Sequence, residues 1–213
     1  MSQLPYQAAL LSFVLLSSLA TVAANAELYE GAFGGHVETI DSGIASTVSV
    51  GDDFRFAYMF DSGAIDLLPN DSKLGVYLIS SASLRIANAR VEWTSTDNSG
   101  SISIRDFEPI SEQYIVRDTV PQAFAGMARP VVIAYLGRWP TSDWIYDDDS
   151  LPLALELADF EWAVLSLEDL MSPGPRISGS IESFSIKVVP EAGSLALLAS
   201  GLMALYARRR ATP

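Results

Sequence analysis

The sequence has 213 residues, no cysteine and a single histidine, His36. Disulfides, thiolate metal sites, a cysteine nucleophile and paired catalytic histidines are therefore excluded. Thirteen basic residues stand against 26 acidic ones, a formal net charge of −13. Between residues 27 and 189 the imbalance deepens to ten basic against 25 acidic residues, a net of −15, because Glu191, Arg208, Arg209 and Arg210 lie beyond. Such a surface repels phosphate backbones, so nucleic acid is not an expected partner.

The first element is a nearly continuous apolar run from Ala8 to Ala20, followed by Ala24-Asn25-Ala26. The run is short for a membrane span, and the two alanines stand at the positions a signal peptidase reads. Residues 1–26 are thus predicted to be a signal helix, cleaved before Glu27. Met1 to Gln7 hold no Lys or Arg, so the α-amino group is the only positive charge there.

Residues 27–189 form one predicted domain, and its patterning is that of β-strands. Glu27 to Ile40 places Tyr29, Phe33, Val37 and Ile40 among glycines, with a kink or bulge expected at Gly34-Gly35. The clearest strand is Phe54 to Phe60, where Phe54, Phe56, Tyr58 and Phe60 share one face and Arg55, Ala57 and Met59 the other. Alternation with period two is the strand signature. Val50-Gly51-Asp52-Asp53 leads in and Asp61-Ser62-Gly63 leads out, both with turn chemistry. Further strands are predicted at Gly75–Ser80, Ser83–Asn88, Ala89–Thr94, Ser101–Phe107, Gln113–Asp118, Pro130–Gly137, Phe160–Leu167 and Ile177–Val189. Asp97-Asn98-Ser99-Gly100 reads as a hairpin loop. Leu153–Leu157 is ambiguous between a helical turn and irregular chain. The pattern predicts an all-β domain, an antiparallel β-sandwich of jelly-roll-like topology, with a barrel as the alternative.

No catalytic constellation is legible. His36 is the only base a serine triad would have, and it sits in an apparent first strand. No Gly-x-Ser-x-Gly elbow is present in the domain, and no pair of carboxylates stands out for glycoside hydrolysis. The reading is of a protein that is not an enzyme and needs no cofactor. A candidate binding loop contains Asp143, Asp147, Asp148 and Asp149 together with Trp139, Trp144 and Tyr146. Its aspartates are the kind of hard oxygen ligands that calcium takes, although the EF-hand spacing is absent. Trp144 and Tyr146 are candidates for stacking on sugar rings. A second acidic loop, Asp66 to Asp71, carries a weaker signal of the same kind.

Residues 190–213 complete the chain order. Pro190-Glu191-Ala192 precedes an uncharged stretch of 15 residues, Gly193 to Ala207, and then Arg208-Arg209-Arg210. As a helix the stretch would be roughly 22 Å long, short against a hydrocarbon core of ~30 Å. The arginines would stay on the cytoplasmic side. At these residues the chain resembles the PEP-CTERM family of bacterial sorting signals, which combine a Pro-Glu-Pro motif, a short hydrophobic helix and a terminal arginine cluster. Pro190 and Glu191 match the first two motif positions, and Ala192 stands where the second proline is expected. The resemblance implies an exported protein of a Gram-negative bacterium that makes exopolysaccharide. It implies transient anchoring in the inner membrane through the C-terminal helix and recognition by an exosortase, a membrane-embedded transpeptidase. Release to the cell surface or extracellular matrix would follow. The body is loosely similar to other domains carried by such proteins, at Gly35 to Ile40, Val50 to Phe54 and Ile177 to Ile186, and this likeness brings no catalytic residues with it.

Overall fold

The computed structural model describes residues 27–42, 48–87, 91–107, 111–120, 127–139 and 150–190. Both predicted terminal helices lie outside the described residues. The described chain is all-β: β1 Leu28–Ile40, β2 Asp53–Asp61, β3 Leu74–Leu78, β4 Ser81–Ile86, β5 Val91–Ser95, β6 Ser101–Phe107, β7 Ser111–Thr119, β8 Pro130–Arg138, β9 Trp162–Asp169 and β10 Ser172–Val188. Every segment predicted as a strand overlaps one; Ser101–Phe107 has the predicted ends, the others are shifted, and Asn88 and Ala89 lie outside the described residues. The turn sought at Leu153–Leu157 is a single 3-10 turn at Leu157–Asp159, where the Glu156 amide donates to Asp159 Oδ2 at 2.8 Å.

All ten strands join in one antiparallel ladder, ordered β3-β6-β7-β8-β9-β10-β1-β2-β4-β5. Hydrogen bonding does not divide it into two sheets. The surfaces that a sandwich would set against each other are two halves of one curled sheet. The curl is made by a bent hairpin. β3 and β4 are separated only by Ile79 and Ser80, yet β3 pairs with β6 at one end of the ladder and β4 with β2 near the other. The Ile79 amide still donates to Gly100 O at 3.2 Å, and the next amide, Ser80, donates to Met59 O at 2.8 Å. The other hairpin strand bends between β5 and β6, where Asn98 adopts φ 55°. Asn tolerates that left-handed conformation better than most residues.

The concave side is the core. Phe54, Phe56, Tyr58 and Phe60 are all buried, while Arg55 on the alternate face is exposed, as period two requires. Phe33 stacks on Phe184 with centroids 4.8 Å apart, and Tyr114 of β7 reaches Phe184 at 5.9 Å. A residue pair from β10 and β7 in ring contact shows the two halves closing on one another. β2 is entered through a turn in which Gly51 has φ 90° and donates to Val37 O at 2.8 Å. Glycine takes that conformation without a Cβ clash.

Candidate functional site

Strand β10 ends against the beginning of β1. Tyr29 pairs with Val188, and the Val189 amide continues the ladder by donating to Leu28 O at 2.7 Å. Pro190 has no N–H to donate, so the ladder stops there, and the residue is exposed. Glu27 is also exposed, with its amide on Ser62 Oγ at 3.0 Å. The residue expected to follow signal cleavage and the first residue of the tail motif therefore leave the fold at one pole, on adjacent strands. β10 lies between β9 and β1 in the ladder, but β9 pairs only as far as Ser180, and from Ile181 to Val188 the strand pairs with β1 alone. Ala24, Ala26, Glu191, Ala192, Arg208, Arg209 and Arg210 lie outside the described residues.

The same holds for Asp143, Trp144, Tyr146, Asp147, Asp148 and Asp149. Of that group only Trp139 is described. It is 59% exposed, and its ring meets Trp162 at 5.3 Å with a 57° tilt. Trp162 lies over Gly137, where a Cβ would come within 2.3 Å of the ring. In the second acidic loop Asp66 Oδ1 accepts from the Leu68 and Val76 amides, and Asp71 Oδ1 from Lys73. Those carboxylates hold turns. Among the described residues no group of three or more His, Asp or Glu side chains could hold a metal ion.

His36 lies on the convex face of β1, half-exposed, and the fold gives it partners that the sequence did not. Its Nδ1 is 3.0 Å from Glu182 Oε1, and its Nε2 is 3.4 Å from Ser180 Oγ and 4.0 Å from Glu38 Oε1. Ser180 is the direct cross-strand partner of His36. Glu182 reaches the ring because β10 bulges: Gly34 pairs with Ser183 and Gly35 with Ile181, leaving Glu182 as the extra residue. The glycine pair does mark this irregularity, as its sequence suggested. At Gly35 a Cβ would fall 1.9 Å from Ser180 O, so only glycine fits so close to β10.

Two buried aspartates are shifted in opposite directions. Burial pushes the Asp118 carboxyl up, against hydrogen bonds from Ser99 Oγ and the Thr119 amide, both at 2.7 Å. Asp169 is held below the usual aspartate range by the amides of Met171 and Ala128, each at 3.0 Å, and Arg129 at 3.3 Å. It clasps the β9–β10 turn to the segment that enters β8. Neither group is near the tail or His36 in the ladder.

Among the described residues no helix is long and apolar enough to cross a membrane. Comparison with curated proteins and with solved structures finds no match. Residues 188–210 match the family model described as the PEP-CTERM protein-sorting motif, and the match begins on the last residue of β10. The chain carries a PEP-CTERM sorting motif fused without a spacer to a central strand of its β-domain.

Proposed function

We propose that the chain is an exported protein delivered by its two end segments. A signal peptidase cuts before Glu27. The hydrophobic tail then holds the protein in the inner membrane, and an exosortase-type transpeptidase acts at Pro190-Glu191-Ala192. The released curled sheet, its halves packed face to face in the manner of a jelly-roll sandwich, serves at the cell surface or in the extracellular matrix. Its role there is a structural or interaction role with exopolysaccharide. The observation that carries this reading is the sorting-motif match at residues 188–210, directly after the final strand. The test is the intact mass of the protein recovered from outside the cells of its host. A species running from Glu27 to near Pro190 supports delivery and processing. A species that keeps Gly193 to Pro213 in the membrane fraction refutes processing.

A second reading is favoured by Trp139, whose largely exposed ring is braced by Trp162 and which precedes Asp143–Asp149 in the sequence. Aromatic faces of this kind stack on sugars, and calcium would be the metal for the neighbouring aspartates. Polysaccharide binding lost in Trp139→Ala and Trp144→Ala, with an unfolding midpoint raised by calcium, would select this reading over a purely structural one.

A further inference from the structure

We infer that Ser180, His36 and Glu182 form an acyl-transfer site on the convex face of the sheet. Connectivity is the first ground. Glu182 lies on Nδ1 and Ser180 on Nε2, so each ring nitrogen faces the partner its role needs. A carboxylate accepting from Nδ1–H orients the ring so that Nε2 faces the serine hydroxyl, with Glu38 Oε1 farther off at 4.0 Å. The Ser180–His36 separation of 3.4 Å is the loosened distance usual before substrate binds. Such a set is recognised by geometry and roles, not by sequence order.

The bulge is the second ground. A regular β10 would give His36 only its flat cross-strand neighbour. The inserted Glu182 turns a carboxylate onto the far ring nitrogen, the re-aiming that bulges perform beside active sites. A shallow basin of about 350 Å³ lies beside the site, lined by Ala32, Gly34, Arg55, Ser183, Ser185 and Lys187 and not by Ser180, His36 or Glu182. The substrate class is a carboxylic ester that meets Ser180 from the open convex face.

The chemistry balances with water as the second reactant. Ser180 Oγ attacks the ester carbonyl carbon, and its proton passes to His36 Nε2. The carbon–oxygen bond to the alcohol breaks, and the alcohol leaves with that proton. Water then attacks the acyl-serine and gives a proton to Nε2. The acid departs, and Ser180 Oγ regains the proton. Glu182 acts through the ring and is a positioning residue.

The experiment uses the full chain in mild detergent, with a fluorophosphonate probe and peptide mass mapping. The expected result is an adduct on Ser180 that is absent in Ser180→Ala. His36→Gln should slow its formation about 100-fold. Glu182→Gln should also slow it, Glu182→Asp should restore part of the rate, and the melting temperatures should stay unchanged. A folded wild-type chain that leaves Ser180 unmodified overturns the inference, and so does equal labelling in His36→Gln.

Discussion

The hydroxyls of Tyr58 and Tyr114 lie 2.8 Å apart in the core, although their strands, β2 and β7, are five places apart in the ladder. In a flat sheet that separation would be about 24 Å. This contact therefore records the curl, and it fastens the two halves with a polar bond in an apolar setting. Both residues are almost fully buried, and burial beside Tyr58 raises the Tyr114 hydroxyl well above the usual tyrosine range. Tyr58→Phe removes the partner of the Tyr114 hydroxyl. It should destabilise the protein by about 1–3 kcal/mol, whereas Tyr58→Phe combined with Tyr114→Phe should cost less than the two single changes added together. Urea unfolding of the four species checks this, and simple additivity would mean the pair does not couple the halves.

Asp169 makes stability depend on pH. Its carboxyl titrates below the ordinary value of 3.8 in the folded protein, so its contribution is fully present above that value and is lost as pH falls through the folded pKa. Asp169→Asn should lower the melting temperature at neutral pH, and the deficit should shrink on acidification through the carboxylate range. Asp118, raised by burial, has the opposite sign: its contribution weakens as pH rises through its folded pKa. A constant deficit for Asp169→Asn at all pH values would contradict the assignment.

Gly35 sets the distance between β1 and β10 at the bulge. Gly35→Ala places a methyl group against the Ser180 carbonyl, with backbone and not a flexible side chain in its way. Destabilisation of about 1–3 kcal/mol is expected, with fluorophosphonate labelling of Ser180 lost in parallel. Unchanged stability would show that β10 yields locally without strain.

The sorting motif overlaps the folded strand, since the match starts at Val188 and Val189 is still bonded to Leu28. A membrane enzyme that grips Pro190 thus meets the domain itself. A short Gly-Ser insertion between Val189 and Pro190 should raise the rate of tail removal severalfold, measured by pulse-chase in the host. If the tail is removed at the same rate, the junction is already accessible. If it is removed in neither chain, the sorting proposal itself falls.

The strands were legible because alternation is a local property: Phe54 to Phe60 declare their faces without reference to any other segment. The irregularity at Gly34-Gly35 was legible from the glycines themselves, although the extra residue, Glu182, lies on β10. The single curled ladder was not, because strand partners are chosen by distant contacts such as Tyr58 with Tyr114. Nor were the partners of His36 legible, since Ser180 is 144 residues away and Glu182 arrives only through the register shift. The tail was the most readable part, being a linear signal whose meaning does not wait on folding.

The shared pole of Glu27 and Pro190 also has a mechanical meaning. Tension applied between the two ends would open β1 from β10 one pair at a time, starting at Val189 and Leu28, and a ladder peeled in sequence resists weakly. Tension on Pro190 alone, against a load held elsewhere on the body, runs along β10, first against β1 from Val188 to Ile177 and then against β9 from Ser180 to Ser172. It loads their hydrogen bonds together, with the Arg176–Asp41 ion pair of 2.6 Å at the far end. Freeing the N-terminal end while the tail stays attached would thus change the domain from a zipper into a shear joint.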